Sequence, residues 1–256
     1  MFAEFFTGIF KTLVRPGKCR LRFRAAIDFP ALIFIGSLTC FSISCKKSTY
    51  PSPAEDYSYF PLASGKYIIY DVDSIGYSNF DLVHPVDTSY YQIREEVDSP
   101  FVDNEGNSAF KIIRSKRKDE NSPWTISDIW SASLSENTAE RVEENLRFIK
   151  LDFPVLNGKQ WYGNIHIQTD GSLSFLDGWR YEYSAVHQPL DLNSHSYDST
   201  ITVTQQSDSN AIQQYIYIEK YANHVGMIYK YEDSLSTQPG QPKNGRVVTM
   251  KAKEFN

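Results

Sequence analysis

Apolar and polar residues alternate with a period of two along most of the chain beyond residue 65. In the segment WRYEY, residues 179–183, this alternation puts three aromatic rings on one face and two charged groups on the other, which is typical of a half-buried strand. Turn-forming segments such as Asn157-Gly158, Asp177-Gly178 and Ser207–Asn210 separate these segments of alternation. Strands this close in sequence favour antiparallel pairing. The pattern therefore predicts a mainly β protein, an antiparallel meander that closes as a sandwich or a barrel.

Short aromatic and β-branched segments predict the individual strands. They cover Lys66–Ser74, Ser89–Val97, Ala109–Arg117, Trp124–Ser131, Leu146–Phe153, Gln160–Ile165, Trp179–Val186, Ser199–Gln205, Gln213–Tyr221, Met227–Tyr231 and Arg246–Lys253. Residues 135–145 have helical propensity but could equally extend the strand that follows, so we expect at most one or two short helices.

The amino-terminal 44 residues have the organisation of an export signal. A basic cluster (Arg20, Arg22, Arg24) precedes the apolar run Phe29–Ser44. This run of 16 residues is shorter than the roughly 20 that a membrane-spanning helix needs. An uncleaved anchor and a plain secretory signal are the weaker alternatives.

The residues around Cys45 resemble the lipobox of bacterial lipoproteins, whose cysteine receives diacylglycerol and becomes the first residue of the mature chain. Small residues precede Cys45, although Ser42 stands where that family usually has leucine. Cys40 is the competing lipidation site, but the residue before it, Thr39, is bulkier than Ser44. We therefore predict three parts: an export signal over residues 1–44 that is removed, a lipidated cysteine and flexible tether over 45–57, and one β-rich domain over 58–256.

Charge and cysteine content limit the partners and the covalent chemistry. Six of the 26 basic residues and two of the 31 acidic residues precede residue 45, so the mature body carries an excess of nine negative charges. Such a body repels nucleic acid, and we predict no nucleic-acid partner. The three cysteines are at positions 19, 40 and 45, so cleavage before Cys45 leaves no pair for a disulfide.

No motif in the mature chain predicts catalysis, and we expect neither an enzyme nor a cofactor. The five histidines lack the spacing of a metal site, although His166 and His187 could meet near Asp191 or Asp198. Adjacent carboxylates, Glu95-Glu96 and Glu143-Glu144, would point to opposite faces of a strand and make poor acid–base pairs.

Aromatic residues could build a platform for sugar rings, but core and cross-strand packing explains them better. The candidates for the platform are Trp124, Trp130, Trp161, Trp179, Tyr90, Tyr91, Tyr181 and Tyr183.

The chain resembles uncharacterised lipoproteins of Bacteroidetes. The similarity is carried by Ser-Cys-Lys-Lys at residues 44–47, by Tyr-Phe-Pro-Leu at 59–62 and by Gly-Lys-Tyr at 65–67. The resemblance implies no activity, but it does imply a cellular location. Lys46 is not the aspartate linked to inner-membrane retention, and the acidic run linked to surface export is missing. The resemblance thus favours an acylated, palmitate-type anchor at the periplasmic face of the outer membrane over the cell surface.

Proteins of that phylum also carry O-linked glycans at Asp-Ser/Thr followed by an aliphatic residue, Met or Thr. Ser74, Ser199 and Ser234 match this pattern and are candidate modification sites.

Three functions follow from these observations. The leading hypothesis is a non-catalytic accessory protein, anchored to the membrane by lipid, that binds another envelope protein or a glycan. The first alternative is a β-barrel carrier of a lipid or other apolar ligand, which needs an apolar cavity of several hundred cubic ångströms. The second alternative is a hydrolase whose carboxylates are brought together only by folding.

Overall fold

Twelve β-strands make up most of residues 56–81 and 83–256, the part of the chain that the computed structural model describes. The strands are β1 (Tyr67–Tyr77), β2 (Val86–Val102), β3 (Ser108–Arg117), β4 (Thr125–Leu134), β5 (Thr138–Glu143), β6 (Leu146–Asp152), β7 (Gln160–Trp161), β8 (Tyr181–Leu192), β9 (His195–Ser209), β10 (Gln213–Ala222), β11 (Gly226–Ser236) and β12 (Asn244–Phe255). The helical elements of the described residues are two short 3-10 turns, Tyr57–Tyr59 and Gly171–Leu176. In the same residues, no helix has the length and hydrophobicity needed to cross a bilayer.

The sheet is an antiparallel meander that wraps into a nearly closed barrel. Its strand order is β6-β5-β4-β3-β2-β1-β12-β11-β10-β9-β8-β7, so β1 pairs with β12 and the ladder is interrupted between β6 and β7. Other bonds bridge that seam: the amide of Ile149 donates to the carbonyl of Gly163 at 2.8 Å, and Trp161 Nε1 donates to the carbonyl of Ile149 at 2.9 Å. The mainly β fold class is confirmed, with a barrel as the form of closure.

The core lies on the inward faces of the strands, where the period-two pattern predicts it. Trp179, Tyr181 and Tyr183 are 3%, 0% and 0% exposed. Arg180 and Glu182, which alternate with them, face outward. Each buried ring removes a large apolar area from water, which makes this wall of the barrel a major source of stability.

The helical propensity of residues 135–145 is overridden by strand pairing. Thr138–Glu143 forms β5 between β4 and β6, with Ala139 and Arg141 buried toward the interior. Glu144 and Asn145 form the turn to β6 with positive φ angles of 50° and 65°. Helix propensity differs by less than about 1 kcal/mol among these residues, and tertiary burial outweighs it.

Other predicted boundaries also differ from the structure. The predicted strand Gln160–Ile165 ends at Trp161, because the chain turns where Gly163 lies against the Tyr181 ring. The predicted turn at residues 207–210 begins later, since β9 continues to Ser209. The export signal, and the tether up to residue 55, lie outside the described residues, so the predicted division into 1–44, 45–57 and 58–256 stays a prediction.

Candidate functional site

Charged side chains occupy the centre of the barrel. Glu95 on β2 accepts from Arg114 Nε of β3 at 3.0 Å and from Arg141 Nη2 of β5 at 2.9 Å. Burial acts to raise the pKa of Glu95, but the positive charges of Arg141 and Arg114 outweigh it and hold that pKa below its usual value. Both arginines also stack on the Trp130 ring, with Cζ at 3.8 Å and 5.1 Å from its centroid.

A second buried cluster crosses the barrel. Lys150 Nζ of β6 lies 3.1 Å from Glu143 Oε1 of β5 and 2.9 Å from Glu219 Oε1 of β10. Lys230 of β11 lies 2.7 Å from Glu232 and 3.9 Å from Glu143. Burial opposes ionisation of Glu143 and Glu219, yet Lys150 and Lys230 lower the pKa of both carboxyl groups.

These clusters bear on the hydrolase alternative. The adjacent glutamates do face opposite ways: Glu95 and Glu143 point inward, while Glu96 pairs with Arg94 outside and Glu144 is exposed. Folding brings Glu143 and Glu219 together, but Lys150 binds both of them. A carboxylate held ionised by a bound ammonium is a weak general acid, and its base strength is reduced in the same way. The geometry therefore favours a stabilising role for this pair.

A small cavity adjoins the first cluster. It has a volume of about 70 Å³ and is lined by Phe60, Leu62, Ile68, Met227 and other apolar groups, with Glu95 and Arg141 among the lining residues. The carrier alternative needs several hundred cubic ångströms. A barrel remains compatible with a carrier role, but this cavity has room for only the end of an apolar ligand.

The histidines do not assemble as a metal centre. Among residues 56–81 and 83–256, no three His, Cys, Asp or Glu side chains are grouped to hold a metal ion. His166 lies in a turn after β7. His187 lies on β8 at a bulge where its φ is 56°, and its Nδ1 is 2.7 Å from the hydroxyl of Tyr59.

That contact ties the first described residues to the barrel wall. The hydroxyl of Tyr59, a residue 1% exposed, also lies 2.7 Å from Ser199 Oγ of β9. Asp56 accepts from the amide of Val155 at 2.9 Å and lies 3.9 Å from His187 Nε2. The sequence predicted neither contact, because these residues are far apart in the chain.

The predicted modification sites divide between described and undescribed residues. Cys45 and Cys40 lie outside the described residues. Ser74 on β1 is 6% exposed and accepts from Arg246 Nε at 3.0 Å. Ser199 and Ser234 are half-buried on β9 and β11. O-glycosylation stays a prediction, and at Ser74 the transfer would have to precede folding.

An open groove lies at one end of β2, beyond the end of β3. Residues 86–91 of β2 pair with β1, whereas the β2–β3 ladder begins only at Gln92, opposite Arg117. Because β3 ends at Arg117, residues 86–91 of β2 extend beyond it. The space beyond is a groove of about 690 Å³, bounded by Ser89–Tyr91 on one side and by the start of β4 on the other.

The groove is basic and partly aromatic. Lys116, Arg117 and Lys118 line it, and no acidic residue is among its lining residues. Lys116 Nζ lies 3.7 Å from the centroid of the Tyr91 ring. Arg117 donates to Gln92 Oε1 at 2.7 Å and stacks over Trp124 at 4.3 Å. These contacts fix two of the three cations in position on a body that is otherwise acidic.

The aromatic platform considered from the sequence does not form as a unit. Its members Trp161, Trp179, Tyr181 and Tyr183 are buried, and Trp130 packs against the interior arginines. Tyr90, 72% exposed, and Tyr91 line the groove. The sequence signals that could have located the groove are the basic run at 116–118 and the tyrosine pair at 90–91, but their proximity depends on the register of β2 and β3.

No known protein family matches the sequence, and no curated protein matches it. Two solved structures are similar: a candidate exported protein with a YmcC-like fold from Bacteroides fragilis and a candidate lipoprotein from Parabacteroides distasonis. Each covers 77% of this chain and 98% of its own length, with a TM-score of 0.41 and 9% sequence identity. A likeness at this level carries no functional inference.

Proposed function

We propose that the chain is a non-catalytic accessory protein of the cell envelope that binds another envelope protein through the groove beside β2. The supporting observation is the contrast between the barrel interior and the open end of β2. Side chains and ion pairs fill the interior around a cavity of about 70 Å³, whereas the groove at the end of β2 has about 690 Å³. Binding chemistry is therefore available at the surface.

The proposal includes an anchor. Lipid on Cys45 would hold the chain at the outer membrane, with the periplasmic face favoured, and the rest of the predicted segment 45–57 would act as the tether. Two prolines in this segment, Pro51 and Pro53, favour an extended spacer.

The anchor is tested by the mass of the amino-terminal peptide from the membrane-bound protein. We expect diacylglyceryl on Cys45, with release of the Cys45→Ala variant to the soluble fraction and retention of the Cys40→Ala control. An unmodified terminus that still contains Arg20–Ser44 would replace the lipid anchor with a membrane-inserted signal.

Partner binding is tested by photo-crosslinking in intact cells. A benzophenone amino acid replaces Tyr90 in the groove or, as control, Val102 at the other end of β2; the two side chains are similarly exposed, at 72% and 70%. We expect a covalent adduct of defined mass from position 90 and none from position 102. Absence of an adduct at position 90, or equal adducts at both positions, would contradict binding at the groove.

A further inference from the structure

We propose that the groove binds an extended acidic peptide segment, which adds to the barrel as a strand beside residues 86–91 of β2. The inference rests on the proposed function, because it states the chemistry of the partner at that groove. It follows from three observations: an unpaired strand half, a loop that leaves it open, and a row of cations beside it.

The unpaired half of β2 offers main-chain hydrogen-bonding groups. In an antiparallel strand, alternate residues direct both N–H and C=O to the same side. Residues 86–91 use one side for β1, so about half of them direct these groups to the side where β3 is missing. Residues 86–90 are exposed at this edge. Such an edge is a template for an added strand.

The chain that could have covered this edge is held elsewhere. After Arg117 the β3–β4 loop turns away from the line of β3, and Glu120 in the loop forms an ion pair with Lys253 of β12. Lys253 also lies 3.8 Å from Asp71 of β1, so the loop rests over the outer face of the sheet. Proteins usually cover or bulge a free edge, and this edge is left open over six residues.

The positive charge of the groove favours an acidic ligand. Lys116, Arg117 and Lys118 line the groove, and Asp87, which is exposed on the same half of β2, does not line it. An added strand beside β2 would extend the line of β3 and pass next to the three cations at the end of β3. Carboxylates on that segment would meet them, since complementary charge directs register and association.

A second copy of the chain fits less well. Pairing two β2 edges would bring two sets of Lys116–Lys118 toward one another, which is electrostatically unfavourable. An acidic glycan could meet the cations, but it would not supply the regular donors and acceptors that the strand edge requires. Both occupants give distinct outcomes in the test.

The test is a selection of a random dodecapeptide library on phage against the soluble Cys45→Ala chain. We expect enriched peptides that carry Asp or Glu at alternating positions and that protect amides of residues 86–91 from hydrogen exchange. Synthetic copies should bind about tenfold more weakly to Lys116→Glu/Lys118→Glu. Lys111→Glu, an exposed position on the same strand, is the matched control.

Backbone recognition is tested on the unaltered protein surface. Methylation of alternate peptide nitrogens removes the donors that face β2, so one of the two methylated registers should lose at least about tenfold in affinity. No enrichment over the Lys116→Glu/Lys118→Glu variant, equal binding of both methylated registers, or protection of other amides would overturn strand addition.

The remaining outcomes separate this inference from the proposed function. A dimer in solution that protects residues 86–91 would identify a second copy as the occupant. Binding of tetragalacturonate without protection of those amides would identify an acidic glycan. An adduct at position 90 in cells, combined with failure of the peptide selection, would leave the groove as a binding site and reject the peptide. Absence of that adduct would reject the proposed function itself.

Discussion

Lys150 Nζ lies 2.9 Å from Glu219 Oε1 across the interior of the barrel, and the two side chains are 3% and 1% exposed. Lys150 belongs to β6, at the interrupted edge of the sheet, and Glu219 belongs to β10 in the opposite wall. The ion pair therefore connects the seam to a strand with which β6 shares no ladder. Removing this ion pair is therefore expected to weaken the closure of the barrel at the seam as well as to leave a buried charge unpaired.

Replacing Lys150 should be more harmful than replacing Glu219. Lys150→Met leaves Glu143 and Glu219 buried without their common partner, and we expect the free energy of unfolding to fall by about 3–5 kcal/mol. Glu219→Gln leaves Lys150 paired with Glu143, and the expected loss is about 1–2 kcal/mol. Urea denaturation of both variants measures the difference. Equal losses, or a larger loss for Glu219→Gln, would show that Lys150 is not the common partner.

The interior glutamates should make the protein sensitive to acid. The pKa values of Glu95, Glu143 and Glu219 lie below the value of 4.5 of an unperturbed glutamate, because paired cations outweigh the effect of burial. Their stabilisation is thus complete above the unfolded-state pKa and is lost as pH falls through 4.5 toward the folded values.

This pH dependence is measured as the unfolding free energy between pH 7 and pH 3. We expect little change down to about pH 5.5 and a steep decline below about pH 4.5. Glu95→Gln should be less stable at pH 7 and decline less steeply. A Glu95→Gln curve parallel to that of the natural chain would assign the acid loss to other groups.

The pKa of Asp233 is shifted in the opposite direction, above its usual value. Burial raises its pKa, although Tyr231, Lys243 and Gln214 act to lower it, and its Oδ1 accepts no hydrogen bond. The stability linked to a raised carboxyl pKa is present below the unfolded value of 3.8 and is lost as pH rises through the folded value. Asp233→Asn should therefore raise the unfolding free energy at pH 7.

The increase in unfolding free energy caused by Asp233→Asn should become smaller toward pH 3, because Asp233 is itself protonated there. Asp198→Asn, at an exposed position on β9, is the control and should change stability by less than about 0.5 kcal/mol. Chemical denaturation at the two pH values decides the sign. A loss of stability at pH 7 would mean that the ionised carboxylate is favoured in the fold.

Substitution of Gly163 tests how closely side chains pack beside the seam between β6 and β7. A Cβ built on Gly163 would overlap Tyr181 Cε2, and Tyr181 is fully buried with its hydroxyl donating to Asn164 Oδ1. Gly163→Ala should destabilise the protein by about 1–3 kcal/mol, as overpacking does. Gly76→Ala is the control: it lies on β1, its nearest neighbour is 3.9 Å away, and the change should be neutral or stabilising. Thermal denaturation that ranks the two variants equally would contradict this packing argument.

The fold class could be predicted from alternation, but the charged interior could not. In β10, Glu219 alternates with Tyr217 and Tyr221, so the period of two places it on the inward face. The residue type nevertheless gives no reason to expect a buried glutamate there. Local sequence also cannot show that Lys150, 69 residues away, supplies its counter-charge.

The groove depends on strand length, which sequence patterns define poorly. The predicted strand Ser89–Val97 begins three residues after the observed start of β2 at Val86. Ser and Thr near that start weaken the apolar alternation. The sequence therefore did not predict the part of β2 that extends beyond the end of β3. The basic run at 116–118 was visible as composition, but its function depends on the end of β3.

The direction of β1 relates the two ends of the described barrel. Tyr59 lies by the Ala222–Gly226 turn, level with the start of β1, whereas Val86 pairs with Tyr77 at its end. The 11 residues of β1 separate these levels by roughly 35 Å. The free strand edge thus lies at the end of the barrel opposite the one where the first described residues pack.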